Sequence, residues 1–471
     1  MAAPPIAGGP TGMPGSKPPL HRALAALQIR DFRFLYVSST ASFLGMQMMM
    51  IGRGVLAWNL TESYAITGLL ALSFGIPMLT LSLIGGATAD RIDKPTLILV
   101  TQFINGASAV FQGVLIASGL ITVPLLFGMG LIEGTMFAFM MPARQAVLRD
   151  IVPGPQIMNA MALSTAAMSG TTILGPAIAG GLIAAGGVEA AYFAMAAMAA
   201  TSFLSISRLP RGSGADYTGI LPRPGVFADV GAGLGYVLST PRLRLLLGMT
   251  LVPALFGMPY QMMLPGFATE ELGRQTAYAT MLTISGFGAL AASLGLAMLT
   301  EFRRKWMLQV FAGMGMGCAL AGLGVGSKAF GMPAAFVAVA FIGMMMTSYQ
   351  TFNGTLLMTT ANPQYMGRVM SIIMLSFSSM PLMAYPLGVA ADAIGSSTMF
   401  IIMGSIIITI MIALAGSQRR ALFREDPLPA PYSPSIRGIV PRPSGGMVAP
   451  LVRDDADLAG EAVPAEGFGT R

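Results

Sequence analysis

Apolar residues along this chain gather into runs of about 20, each long enough for a hydrocarbon core of roughly 30 Å. Short breaks marked by charge, glycine or proline separate them. The runs fall at approximately 33–58, 65–89, 95–118, 122–147, 157–185 and 189–207, and again at 243–267, 276–300, 306–326, 331–358, 366–391 and 397–418. They lack the alternation of a membrane strand, so the pattern predicts helices rather than a barrel. The predicted organisation is a flexible cytoplasmic tail over 1–31, a six-helix bundle over 32–208, a cytoplasmic linker over 209–242, a second six-helix bundle over 243–418 and a disordered cytoplasmic tail over 419–471. Within the linker region, 226–244 has apolar residues interrupted by Asp229, Arg242 and Arg244, which fits a short interfacial helix or a plain flexible connection.

The distribution of Lys and Arg orients these runs. Alternate loops, starting from the amino-terminal side, hold Arg30, Arg33, Arg91, Lys94, Arg144, Arg149, the arginines of the linker, Arg303, Arg304, Lys305 and Arg368. The other side holds Arg274 and Lys328 beside Glu62, Glu189, Glu270 and Glu271. Both termini are therefore expected in the cytoplasm, which requires an even number of crossings. An internal repeat points to a duplicated architecture, since Pro153 and Pro176 recur 210 positions later as Pro363 and Pro386. The turn Asp90 to Lys94 is likewise matched by Glu301 to Lys305. Two such halves can enclose a site at the bilayer midplane.

Composition narrows the function classes. The chain is 54% hydrophobic and 10% charged, with mean hydropathy +0.70, against roughly 25% charge in soluble domains. The formal charge of +7 is spread among loops rather than gathered in a basic stripe, which argues against nucleic acid as a partner. One cysteine, Cys318, and one histidine, His21, allow no intramolecular disulfide and no Cys/His metal cluster. No cofactor is expected, and no spacing of nucleophile and base suggests an enzyme. The first thirty or so residues read as a tail rather than a secretory leader.

After the second run stands Gly85-Gly86-Ala87-Thr88-Ala89-Asp90-Arg91-Ile92-Asp93-Lys94. This resembles the G-x-x-x-D-R-x-x-R/K loop signature of the major facilitator superfamily. Gly54 to Thr61, Pro142 to Pro153, Gly175 to Gly181 and Tyr236 to Arg244 resemble the branch containing enterobactin exporters and transmembrane secretion effectors. The likeness runs over roughly 30 to 415. It implies an all-α fold of twelve transmembrane helices in two pseudo-symmetric six-helix bundles. It also implies that Gly86, Asp90, Arg91 and Lys94 belong to an inner gate that holds in the outward-facing state. Arg91 and Lys94 could instead serve orientation alone. Gly175, Pro176, Gly180 and Gly181 resemble the glycine–proline motif of antiporter branches, although tight helix packing would use the same residues.

Charges inside the runs are costly, which singles out Arg53 in the first and Glu133 in the fourth. The resemblance places both helices on the central cavity, where the two could pair, or Glu133 could carry a proton. Burial of a carboxyl without a nearby cation favours its neutral form, and contact with Arg53 would oppose that. A static ion pair, or snorkelling of Arg53, would also account for them. Uncharged cavity candidates are Gln47, Gln145, Tyr260, Gln261, Tyr349, Gln350 and Asn353; any of them singly could be helix-to-helix glue. Asp392 reads as an outer-loop residue, with a proton role as the alternative. Many of the 39 methionines offer polarizable surface for a promiscuous site or simple core filling.

No G-x-x-x-x-G-K-[ST] loop is present, so an ion gradient rather than ATP is the expected energy source. The resemblance implies export by exchange for protons, and the leading expectation is a monomer in the inner membrane that carries an amphipathic or apolar small molecule across the lipid bilayer. Uptake by symport and a non-transporting receptor or scaffold of the same fold are the alternatives. Asp90→Asn is expected to impair transport with little loss of membrane insertion, because it removes charge without adding bulk; equal transport by mutant and parent in reconstituted vesicles would refute this.

Overall fold

The computed structural model describes residues 25–89, 92–210, 235, 237–298, 304–361 and 380–417, and among these the regular structure is entirely helical. The helices are α1 (Arg30–Thr61), α2 (Tyr64–Ala89), α3 (Lys94–Ala117), α4 (Val123–Ile151), α5 (Ile157–Ile206), α6 (Pro241–Val252), α7 (Tyr260–Glu270), α8 (Ala277–Met298), α9 (Lys305–Phe330), α10 (Met332–Thr360), α11 (Met380–Ile394) and α12 (Ser396–Ser417). Among the described residues ten stretches are long and apolar enough to cross a membrane, with α6 and α7 counted as one stretch, Pro241–Glu270. The 50-residue α5 is two legs in series. Adding its second leg and the shorter apolar α11 to the ten gives twelve crossings.

Local sequence explains the breaks. In α5 the legs meet at Gly186 and Gly187, and Gly187 has φ +80°, a conformation that disfavours any side chain. The two runs predicted there are thus two helices that meet at a non-helical glycine turn. The seventh run is also discontinuous: α6 gives way to a π-helical turn, Pro253–Gly257, before α7 begins. Pro253, Pro259 and Pro265 each lack the N–H that an uninterrupted α-helix would use. At the start of α3 the Asp93 carboxylate accepts from the Thr96 backbone N–H at 3.0 Å and from its hydroxyl at 2.6 Å, a side-chain cap that fixes the turn after α2.

Packing follows the repeat. In the first half α1 lies along α5, α2 along α4, and α3 against α4 and α5. The second half pairs α9 with α10 and α12, and α8 with α10. The halves meet along two seams, α2 with α11 and α5 with α8. Lipid supplies no hydrophobic drive between helices, so close approach depends on small residues. On the α2–α11 seam a Cβ at Gly68 would collide with the Ala384 carbonyl, and one at Gly388 with the Tyr64 carbonyl.

Of the expected segments, the tail beyond 417, most of the linker and the start of the eleventh run lie outside the described residues. Arg242 and Arg244 of the expected interfacial helix fall in the first turn of α6.

Gly68→Ala should push α2 away from α11 and lower the thermal unfolding midpoint of the detergent-solubilised protein, as overpacking costs about 1–3 kcal/mol. An unshifted midpoint would mean that the seam is looser than these carbonyl contacts imply.

Candidate functional site

Arg53 and Glu133 come together. Arg53, on α1, is 7% exposed, and Glu133, on α4, is 3% exposed. The Arg53 Nη2 donates to Glu133 Oε2. On the other carboxylate oxygen, Oε1, α3 supplies Gln112 Nε2 at 2.7 Å and the Ser108 hydroxyl at 3.5 Å. The carboxylate therefore ties α1, α3 and α4 into one polar knot inside the first half. Glycine makes room for it: a Cβ at Gly130, one turn before Glu133, would run into the Ser73 hydroxyl and approach Arg53 Nη1 to 3.2 Å. Tyr192, on the second leg of α5, is close enough to Arg53 to interact with it electrostatically, although its hydroxyl has no partner in hydrogen-bond geometry.

Two cavities adjoin this knot. The larger, about 260 Å³, lies between the halves and is lined from the first by Met46, Met49, Met50, Arg53 and Met78 and from the second by Met262, Tyr278 and Met380. The smaller, about 40 Å³, lies within the first half and has Ser42, Gln102, Asn105 and Glu133 on its wall. Met46, Met49, Phe74 and Phe137 line both and so form the partition, with the two phenyl rings tilted against each other at 5.5 Å. Arg53 thus faces the shared cavity while its partner Glu133 faces the inner annex.

The other cavity candidates line neither space. Gln47 packs its Cβ against Gly175, and Gln145 is on the exposed side of α4. Tyr260 is fully buried with its hydroxyl 3.5 Å from that of Ser285, and Gln261 and Gln350 are half-buried. Tyr349 donates to the Met249 carbonyl at 2.7 Å. Asn353 joins a relay in which Gln309 Nε2 donates to its Oδ1 and its Nδ2 donates to Thr250 Oγ1, both at 2.7 Å. Tyr349 and Asn353 therefore hold α6, α9 and α10 together. In the α5 motif, Gly175 admits α1, and Gly180 admits Ala279 of α8 on the second seam between the halves. Pro176 is buried, while Gly181 has open space around it.

Of the loop signature, Asp90 and Arg91 lie outside the described residues. Lys94 Nζ is 2.6 Å from Asp150 Oδ2, joining the start of α3 to the end of α4 within the first half. Gly86 is half-buried with no neighbour near its missing Cβ.

Two positions carry more than the sequence suggested. Asp392, in the last turn of α11, accepts from the Ser63 hydroxyl at 2.7 Å and from the backbone N–H groups of Tyr64 and Ala65 at 2.7 and 3.1 Å. It caps the start of α2 from the other half, where a carboxylate is favoured by the helix dipole. Beside it the Tyr64 hydroxyl donates to Glu270 Oε2 at 2.6 Å, and Gln275 Nε2 donates to Asn59 Oδ1. Arg144, assigned above to a loop charge, is instead 5% exposed inside α4. Its guanidinium is surrounded by the hydroxyls of Ser38, Ser39, Ser42 and Ser202. The signal was present: Ser38, Ser39 and Ser42 fall on one helix face within an apolar run.

Breaking a buried pair strands the survivor at a cost of about 3–5 kcal/mol, whereas replacing both partners can be nearly neutral. Arg53→Met is therefore expected to lower the unfolding midpoint more than Arg53→Met combined with Glu133→Gln. Additive shifts in such a double-mutant cycle would show that the two charges are not coupled.

Comparison with known proteins places this geometry. No functionally curated protein matches the sequence. The structure is similar to the nucleoside transporter NupG (TM-score 0.65, 14% identity, 84% of this chain and 100% of that one). It is equally similar to a bacterial homolog of the human lysosomal transporter Spinster in an inward-facing, unoccupied conformation (0.65, 14%, 88% and 100%). A D-xylose–proton symporter matches with TM-score 0.59 at 14% identity, over 84% of this chain and 98% of that one. At such identities the likeness shows the shared major facilitator fold. The sequence itself matches the family described as "Transmembrane secretion effector" over residues 21–432, nearly the whole chain. This protein therefore belongs to the transmembrane secretion effector family, multi-pass membrane transporters of the major facilitator type.

Proposed function

We propose that the protein is a secondary exporter of amphipathic or apolar small molecules that exchanges them for protons by alternating access, as a monomer in the inner membrane with both termini in the cytoplasm. The observation that carries this reading is the Arg53–Glu133 pair, buried in the first half with Arg53 on the wall of the cavity between the halves. The family description, with its reference to secretion, supports the direction. The methionine-rich wall, flexible and polarizable, suits substrates of varied shape.

In this cycle Glu133 is the proton carrier. When it takes a proton from the outer side it loses its charge, and Arg53 loses the partner that holds it against α4. The cavity wall is then free to change its contacts with the substrate and with the second half. Release of the proton toward the cytoplasm restores the pair. Free-energy coupling requires only that the two global states differ in their affinity for proton and substrate.

The outer seal is Asp392 on the start of α2, with Tyr64–Glu270 beside it. The inner counterpart is the loop signature, with Asp90 and Arg91 as gate residues and Lys94 anchoring the loop through Asp150.

The test is proton flux in sealed vesicles of the reconstituted protein, challenged with drugs, siderophores and lipophilic cations. A transported compound should drive proton movement in the parent, and Glu133→Gln should abolish the dependence on the pH gradient while leaving downhill substrate movement. Unchanged pH dependence in Glu133→Gln would reassign the residue to structure, and net accumulation in cells carrying the protein would reverse the direction.

A further inference from the structure

Arg144 carries a charge inside the bundle with only hydroxyl groups around it. Its Nη1 donates to Ser38 Oγ at 3.1 Å and Ser39 Oγ at 2.9 Å, and its Nη2 to Ser42 Oγ at 2.6 Å and Ser202 Oγ at 3.1 Å; its Nε has no partner. Among the described residues no carboxylate pairs with it. Four hydroxyls solvate the guanidinium without neutralising it, and a buried cation that lacks a counter-charge is a costly arrangement. Arg53 provides the contrast, since it has Glu133. The first half therefore holds two buried cations against one buried carboxylate among these residues.

Ser42 stands between this charge and open space. It accepts from Arg144 and also lines the small annex. In the present geometry its hydroxyl donates to Ser202 at 2.8 Å, and a rotation would point it into the annex. Two amides share that wall. Gln102 Nε2 rests 2.9 Å from the Met140 sulfur, a weak acceptor, and Asn105 Oδ1 has no partner. Amide nitrogen and oxygen exchange places by a simple flip, so both residues can offer N–H donors. The annex, about 40 Å³, has room for a carboxylate head but not for an organic body. Beyond the Met46, Met49, Phe74 and Phe137 partition lies a methionine-lined cavity of about 260 Å³ that suits the body. Glu133 lines the same annex, with its charge engaged by Arg53 and Gln112.

We infer that the annex is an anion-recognising subsite, with Arg144 as its counter-charge and Ser42 as its contact, and that the substrate is an amphipathic carboxylate. The inference rests on the transporter reading and adds to it the sign of the substrate's charge. A purely structural Arg144, tying α1, α4 and α5 together, would make the protein indifferent to that sign.

Equilibrium binding to the full-length protein in phosphatidylcholine nanodiscs separates these cases, using 1-naphthaleneacetate, 1-naphthaleneacetamide and 2-(1-naphthyl)ethylammonium. The acid should bind saturably and about tenfold tighter than the amide, with the ammonium weakest. Arg144→Lys should keep this preference. Arg144→Gln should bring the acid to the affinity of the amide and leave the amide unchanged. Ser42→Ala, which leaves Arg144 three hydroxyls, should weaken the acid several-fold and spare the amide; if Arg144→Gln does not fold, this variant decides. Amide or ammonium binding as tightly as the acid, an unchanged acid affinity in Arg144→Gln and Ser42→Ala, or no saturable binding of any of the three compounds would overturn the inference. Substrate-driven proton flux in vesicles is read independently, so a failure here leaves the transport reading to stand or fall on its own assay.

Discussion

Inside a bilayer no water is available to complete a hydrogen bond, and that constraint organises this protein at every level. It makes the backbone helical, because an unpaired N–H or C=O in hydrocarbon costs several kcal/mol. It also decides where the few buried polar side chains can stand. Arg53 can lie within α1 because Glu133 meets it from α4, and Glu133 in turn requires Gln112 from α3. Arg144 is tolerated because serines on α1 and α5 converge on it. Each charge is thus also a statement about which helices must be neighbours, and the packing α1–α5 and α3–α4 follows from the same requirement.

The two halves have met this constraint differently. The first buries charge: Arg53, Glu133 and Arg144 are all enclosed within it. Among its described residues the second instead buries neutral groups, with Gln309, Asn353 and Thr250 passing one hydrogen bond to the next and Tyr349 closing on a backbone carbonyl. A neutral relay is indifferent to protonation near neutral pH, whereas an ion pair changes its electrostatic energy by the loss of one proton. On the proposed cycle the first half is therefore the energised element and the second the surface against which it moves. The sequence departs from the loop signature in the same direction, with Glu301 and Phe302 standing where Asp90 and Arg91 stand in the first copy.

Much of this could be read from residue order, and the boundary of legibility is physical. Long apolar runs identify crossings because hydrocarbon thickness fixes their length, and the duplicated prolines expose the repeat. Arg53 and Glu133 stood out because isolated charges in apolar runs are rare. Their contact could be suggested but not fixed, since it depends on how α1 and α4 rotate about their axes. Arg144 was misplaced for a related reason. Near the end of a run, arginine can serve orientation at the interface or turn inward, and only the serines of α1 and Ser202 decide which. The uncharged candidates show the converse: Tyr349 and Asn353 occupy helices that suit a cavity, yet their partners lie on α6 and α9, which no spacing within α10 could reveal.

On the proposed cycle the end closed by Asp392 has to open. Asp392 holds α2 through backbone N–H groups that any helix start would offer, so the contact is strong in geometry but made by one exposed side chain. The glycines beneath it add a second feature. Because Gly68 and Gly388 let backbones touch, the α2–α11 seam is held by short-range packing that weakens steeply once the helices separate by an ångström or so. A seam of that kind has two preferred positions, closed and apart, rather than a continuum between them. Interlocked aliphatic side chains would keep gripping over a longer travel and would resist opening. On the proposed cycle the small residues on this seam would thus do more than permit close packing: they would let a proton or a substrate, each able to contribute only a few kcal/mol, tip the balance between two well-defined states.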